Sequence, residues 1–222
     1  KVYDPFKPLI LSFDFNVFPH MTCSVVQIDY TNKNVYFLEE ILGKPKEKQN
    51  NTPQLAKAIQ EKLLKEKHIG GVVITGDPAG TARSTQTEEG INNFIIIENA
   101  FKNGVLSSTV KLLSKQPPQK TRLEWINELF EGKDGWTIYI DMRCRKLTED
   151  LIYQTTNEDG TKNKAKVTDA ETGMKFEKYG HCSDTLDYVL CTFLSDSWGK
   201  YQRGGTNIPT ITTSIITPNF TY

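Results

Sequence analysis

Residues 9–15 read LILSFDF, residues 21–29 read MTCSVVQID and residues 34–41 read NVYFLEEI. Each is an apolar run of strand length. The first closes on an acid, Asp14, set between Phe13 and Phe15. Between the second and third, Tyr30-Thr31-Asn32-Lys33 is a turn-like stretch. Three strands in quick succession with short turns read as an antiparallel meander, and that reading decides the fold class.

Downstream the pattern changes. Lys44 to Asn51 is polar and reads as a loop. Thr52-Pro53 has the form of an N-cap followed by proline at the first helical position. Leu55, Ile59 and Leu63 recur every four residues, so the spacing predicts a helix over 53–67, ended by Gly70-Gly71. Residues 72–76 (VVITG) form a buried strand that again runs into an acid, Asp77. Residues 86–102 carry Ile91, Phe94, Ile95 and Phe101 at helical spacing, and 109–113 (TVKLL) form a short strand. Thr121-x-x-Glu124 has the form of a capping box opening a helix with Leu123, Ile126 and Phe130 on one face. A strand at 136–140 (WTIYI) and a short helix around Leu147 and Leu151 follow. The polar stretch 154–178 reads as a loop or exposed hairpin. The spacing then predicts one helix over 183–198, where Leu186, Val189, Leu190, Phe193 and Ser197 share a face.

This order, three strands and then alternating helices and strands, predicts an α/β fold: a mixed sheet with an antiparallel three-strand meander plus parallel strands, and helices on both faces. The expected organisation is one domain over 1–198. A Gly-, Thr- and Pro-rich tail over 199–222 is expected to be partly disordered.

Bulk composition narrows the classes. A chain of 222 residues, 37% hydrophobic, can bury one sizeable core. No apolar run approaches the roughly 20 residues a membrane span needs. Lys1 to Lys7 do not read as a secretory signal, and a start at Lys1 without Met reads as an excised domain. Cys23, Cys144, Cys182 and Cys191 form no CxxC pair, which disfavours a zinc site and suits a reducing cytosol. A formal net charge of zero argues against a pure DNA-coating protein. It leaves room for an enzyme with a local basic strip.

Three acids stand out by position: Asp14 at a strand end, Asp77 just past VVITG, and Asp184 in the first turn of the last helix. From spacing alone, Asp77 reads first as a turn former or cap, and Asp184 as a favourable acid in a first helical turn. Asp14 divides evenly between structure and function, because it interrupts an apolar run with no basic residue nearby in sequence. A divalent cation is the strongest partner for such a carboxylate, and Mg²⁺ is usually held by one or two carboxylates with water and phosphate oxygens.

At these three places the sequence resembles the nuclease domain of the phage terminase large subunit. The stretch SFDFNVFPHMTCSVVQID is similar to that family's first two strands, GDPAGTARST to its second acidic motif, and HCSDTLDYVL to its closing helix. The resemblance runs from about residue 8 to residue 198. It implies a ribonuclease-H-like fold and cutting of double-stranded, concatemeric viral DNA during genome packaging. It also implies two Mg²⁺ or Mn²⁺ ions held by Asp14, Asp77 and Asp184, with His181 beside the attacking water. Asp187, one turn after Asp184, reads as a surface acid, and Asn16 as a neighbour of the site at most. The resemblance further implies a portal, a terminase small subunit and an N-terminal ATPase as partners, in the cytoplasm of an infected bacterial host. No GxxxxGK[ST] occurs here, so ATP-driven translocation would not belong to this chain.

For holding DNA, Arg83, Arg143, Lys162, Lys164 and Lys166 are candidate phosphate contacts. Interleaved acids such as Glu158 and Asp159 give the same stretch the look of a solvated loop. A junction resolvase or transposase of the same fold would share the acids and the metals. An actin-like or sugar-kinase-like ATP-binding domain would need a glycine-rich turn after the first strand, where Asn16, Val17 and Phe18 stand instead. A non-catalytic docking module would not need the acids.

Overall fold

The computed structural model describes residues 2–82, 91–102 and 106–204. The meander is present as β1 (Leu9–Asp14), β2 (Met21–Asp29) and β3 (Asn34–Gly43), paired antiparallel in sequence. Helix α1 (Thr52–Lys65) then leads to β4 (Val72–Gly76), which pairs parallel with β1. Helix α2 (Asn93–Lys102) precedes β5 (Ser108–Val110), parallel to β4. Helix α3 (Gln119–Phe130) precedes β6 (Thr137–Ile140), parallel to β3. The sheet order is β5-β4-β1-β2-β3-β6. Helix α4 (Arg145–Tyr153) is followed by a hairpin of β7 (Lys166–Thr168) and β8 (Lys175–Glu177), then by α5 (His181–Phe193) and α6 (Ser195–Gly204).

Strand alternation divides the core into two layers. Leu9, Leu11 and Phe13 of β1 pack with Leu55, Ile59 and Leu63 of α1 and with Phe94, Ile97 and Phe101 of α2. Ile10 of β1 and Val26 of β2 face the other way, against Trp125 and Leu129 of α3, Leu147 of α4 and Leu186, Val189 and Leu190 of α5. Helices therefore cover both faces of a mixed sheet, as the element order predicts.

Several local expectations need correction. The cap of α1 is Asn51, whose Oδ1 accepts from Gln54 N at 3.1 Å. Thr52 is already helical, and its hydroxyl donates to Asn93 Oδ1 at 2.8 Å, tying α1 to α2. The capping box at Thr121 and Glu124 does not form. Helix α3 is capped three residues earlier, at Pro118, and Arg122 N bonds the Pro118 carbonyl at 2.9 Å. The single closing helix is two: the chain turns at Leu194, and this brings Trp198 against Trp125 with ring centroids 5.3 Å apart. Helix α6 runs through Gly204, past the boundary read at 198, and residues 205–222 lie outside the described residues. Residues 86–90 of the expected second helix also lie outside them. Among the described residues, no helix is long and apolar enough to cross a membrane.

Candidate active site

The layer between the central strands and α5 carries buried hydroxyls and acids beside its apolar side chains. On β1, the face that carries Ile10 also carries Ser12 and Asp14. Ser12 Oγ donates to the Thr185 carbonyl of α5 at 2.8 Å. Ser24 of β2 meets the Thr185 hydroxyl at 2.6 Å, and Thr75 of β4 lies 3.4 Å from Thr192 Oγ1. These short hydroxyl side chains let α5 approach the sheet closely and fix its height along β1.

Asp14 and Asp77 leave the sheet side by side. In the parallel β1–β4 pair Phe13 is the register partner of Gly76, and Asp77 N donates to the Phe13 carbonyl at 3.0 Å. Gly76 has a φ of +152°, and a Cβ there would meet Phe13 O at 2.3 Å, so only glycine lets the two strand ends run this close. Asp77 then caps a short 3-10 turn over 78–81, accepting from Ala79 N at 2.9 Å. The cap reading and the site reading of Asp77 are therefore compatible.

Asp184 arrives from α5. The helix enters through Gly180, whose φ of +116° suits glycine alone, and places both His181 and Asp184 in its buried first turn. Asp150 of α4 holds this turn: one carboxylate oxygen accepts from Cys182 N at 2.9 Å and from Ser183 N at 3.0 Å. An acid at a helix start satisfies two orphan donors and complements the helix dipole.

Asp77 feels the other two acids. Asp77 is raised above the usual carboxylate range, first by burial and then by the charges of Asp14 and Asp184. The hydroxyl of Tyr188, one turn after Asp184, is pushed far up by burial and then by Asp184, Asp77 and Asp14 together. The β1–β4 register and the placement of Asp184 in the first turn of α5 set these three carboxylates toward the same end of the sheet.

Around Asp14 a small network forms. His181 Nδ1 lies 2.9 Å from Asp14 Oδ2, and Asn16 donates its amide to the same oxygen at 2.7 Å while lying 2.7 Å from the ring nitrogen. Burial works against charge on His181, but the hydrogen bond and charge of Asp14 outweigh it and raise the ring above its usual value. Its Nε2 is buried and finds no partner among the described residues. A second ring, His20, packs edge-on at 6.2 Å between centroids and is depressed to about 4, by burial and then by the His181 charge. Asn16 is a direct neighbour of the Asp14 carboxylate, and the sequence does not single out His20. Their only signal there is nearness to Asp14 in the chain.

The lysines depart furthest from expectation. Lys162 is not a solvent-facing loop cation. It is buried, its Nζ 2.8 Å from Asp184 Oδ1, 2.9 Å from Asp187 Oδ2 and 2.9 Å from Ser183 Oγ. Asp187 is likewise no surface acid: it is buried and also pairs with Arg122 at 3.2 Å. Lys164 reaches the other oxygen of Asp184 at 2.9 Å. Burial acts to raise Asp184, but the two ammonium groups outweigh it and hold the carboxyl below its usual range. Lys166 is exposed on β7. Arg143 is tied to Asp141 at 3.0 Å and Glu39 at 3.9 Å, on the turn before α4. Arg83 lies outside the described residues.

The donor set fits a hard divalent cation in part. Asp14 and Asp77 offer carboxylate oxygens, and Asp77 makes no ion pair among the described residues. Asp184 is engaged by lysines, and among the described residues no group of three or more acids, histidines or cysteines is already gathered to hold a metal.

No protein-family model matches the chain, and no curated protein matches it. Solved structures do. The large terminase of a thermophilic bacteriophage, in complex with ATP-gamma-S, superposes with a TM-score of 0.52 at 14% identity, over 87% of this chain and 42% of that one. The P22 large terminase nuclease domain gives 0.48 at 13% identity, over 92% and 85%. The SPP1 g2p large terminase nuclease domain with bound Mn gives 0.46 at 15%, over 86% and 88%. The chain spans less than half the length of the thermophilic phage's protein. At such identities the likeness is one of fold: a six-stranded mixed sheet with helices on both faces, shared with the thermophilic phage's large terminase.

Proposed function

We propose that this chain is a divalent-metal-dependent endonuclease that cuts double-stranded, concatemeric viral DNA during genome packaging, the nuclease portion of a terminase large subunit. The observation that supports the reading is the placement of the three acids: the β1–β4 register sets Asp14 and Asp77 at neighbouring strand ends, and Asp184 stands in the first turn of α5, which Ser12 of β1 holds through the Thr185 carbonyl at 2.8 Å. Acids this close raise one another unless a cation joins them. In this reading Asp14, Asp77 and Asp184 would hold the Mg²⁺ or Mn²⁺ ions, two in number. Such ions, when bound, activate water and neutralise charge at a phosphodiester.

The chain's own groups do the rest. Asn16 and His181 hold the Asp14 carboxylate in one orientation. His181 Nε2, which has no partner among the described residues, would take or give a proton at an attacking water. Lys164 and the exposed Lys166 contact backbone phosphates, which orient the duplex without reading its bases. In the host cytoplasm the partners would be a portal and a terminase small subunit, with translocation driven by a separate ATPase.

The test is cutting of supercoiled plasmid by metal-stripped protein with and without Mn²⁺ or Mg²⁺, beside a four-way junction as competing substrate. Asp14→Asn and Asp77→Asn abolish metal-dependent cutting while far-ultraviolet circular dichroism stays unchanged. Normal-rate cutting by Asp14→Asn removes the assignment, and preference for the junction reassigns the enzyme to the resolvase class.

A further inference from the structure

Two lysines hold one carboxylate, and they are not equivalent. The Lys162 side chain is 4% exposed, with Asp184, Asp187 and Ser183 around its Nζ. Removing it would leave the buried Asp187 with Arg122 alone and the buried Asp184 with only the partly exposed Lys164. Such a cation is fixed, because uncompensated buried charge is strongly destabilising. The Lys164 side chain is 36% exposed. Its partners are Asp184 Oδ2 at 2.9 Å and the Glu177 carboxylate of β8 at 3.2 Å. Its flexible stem can carry the ammonium into solvent with the backbone in place.

The local charges balance with Asp187 matched by Arg122, Asp184 by Lys162 and Glu177 by Lys164, so Asp184 keeps a partner when Lys164 swings away. Lys164 is a second cation on an acid already paired, and it stands on the oxygen Lys162 leaves open. Asp77, at the same end of the sheet, forms no ion pair with a lysine among the described residues.

We propose, resting on the nuclease reading, that Lys164 is an exchangeable counter-cation. It covers Asp184 in the resting protein, gives way when a divalent cation takes that carboxylate, and then pairs with a phosphate of the bound nucleic acid. Ion loading at Asp184 and arrival of the polyanion thereby favour each other, since each satisfies a charge the exchange would leave bare.

The experiment uses the metal-stripped chain and Mn²⁺ alone, without DNA, followed by calorimetry and by the electron paramagnetic resonance signal of free Mn²⁺. Lys164→Gln binds Mn²⁺ at least about tenfold more tightly than wild type, or takes up an additional ion, on the scale by which one charge a few ångströms away alters proton affinity. Lys164→Arg behaves as wild type. Lys162→Met lowers the melting temperature, whereas Lys164→Gln leaves it near wild type. With a short duplex carrying non-cleavable linkages and Mn²⁺ present, Lys164→Gln loses about 0.9 from the slope of log affinity against log salt, one phosphate contact. Wild-type Mn²⁺ binding in Lys164→Gln, or an unchanged salt slope, overturns the exchange alone. Absence of Mn²⁺ binding in every folded variant, wild type included, overturns the nuclease reading with it.

Discussion

Ser12 and Thr185, 173 residues apart, are joined by a 2.8 Å hydrogen bond from the Ser12 hydroxyl to the Thr185 carbonyl. Asp14 lies two residues beyond Ser12 on the same strand face, and Asp184 and His181 lie within one turn of Thr185. The bond is a pin that sets α5 against β1 and so brings the site together. Ser12→Ala should cost about 1 kcal/mol of stability, the usual net worth of one such bond. Urea unfolding checks the stability. Metal-dependent cutting should fall in parallel, and cutting at full rate despite the lost stability would deny the pin a role in the site.

Asp77 and Asp184 should respond oppositely to neutralisation. Asp77 is half-buried beside like charges and has no ion-pair partner among the described residues. Asp77→Asn, measured in EDTA, should leave the melting temperature unchanged or raise it. Asp184 compensates Lys162 and Lys164. Asp184→Asn should destabilise by about 3 kcal/mol, the scale for breaking one side of a buried pair. Equal shifts in the two variants would contradict the charge arrangement.

The two histidines near Asp14 should make opposite contributions to pH dependence. His20 is depressed to about 4 from an unfolded value near 6.5. The folded state therefore resists its protonation, and stability is lost as pH falls from about 6.5 toward 4. His181 is raised. The stability it contributes is fully present below about 6.5 and is lost as pH rises through its folded value. Chemical denaturation of His20→Gln and His181→Gln in EDTA, across pH 4 to 9, should flatten the acid limb in the first and the neutral-to-basic limb in the second. Resonances of the two rings followed by NMR would expose any reversal directly.

Metal binding should itself be visible as stability. If Mn²⁺ binds the folded chain alone, saturation at about 100 times its dissociation constant raises unfolding free energy by about 2.7 kcal/mol. Thermal scans should show the rise in wild type and its loss in Asp77→Asn. A rise of the same size in both would place the ion elsewhere.

Asp150 tests the helix entry without touching a proposed metal ligand. Its carboxylate is raised by burial, against the pull of the backbone N–H groups it caps. Asp150→Ala should lower stability by about 1–2 kcal/mol, the worth of a helix cap. Cutting should fall further than that stability loss explains, since the turn carrying His181 and Asp184 would loosen. Hydrogen exchange at Cys182 and Ser183 reads the loosening independently.

The alternation in LILSFDF and its neighbours, the four-residue spacing of Leu55, Ile59 and Leu63, and the acids at strand ends are local properties of the chain. Local periodicity and steric preference set them, and so the meander, most helices and the positions of Asp14, Asp77 and Asp184 were legible in order. Tertiary structure alone decided what each acid meets. Lys162 and Lys164 stand in a polar stretch that reads as solvated, because the carboxylates they meet, one of which buries Lys162, come from a helix some twenty residues on. Asp150 became a helix cap, and Asp187 a buried partner of Arg122, for the same reason. A charged side chain can be buried only where an opposite charge meets it in space, and distance in space is not written in spacing along the chain.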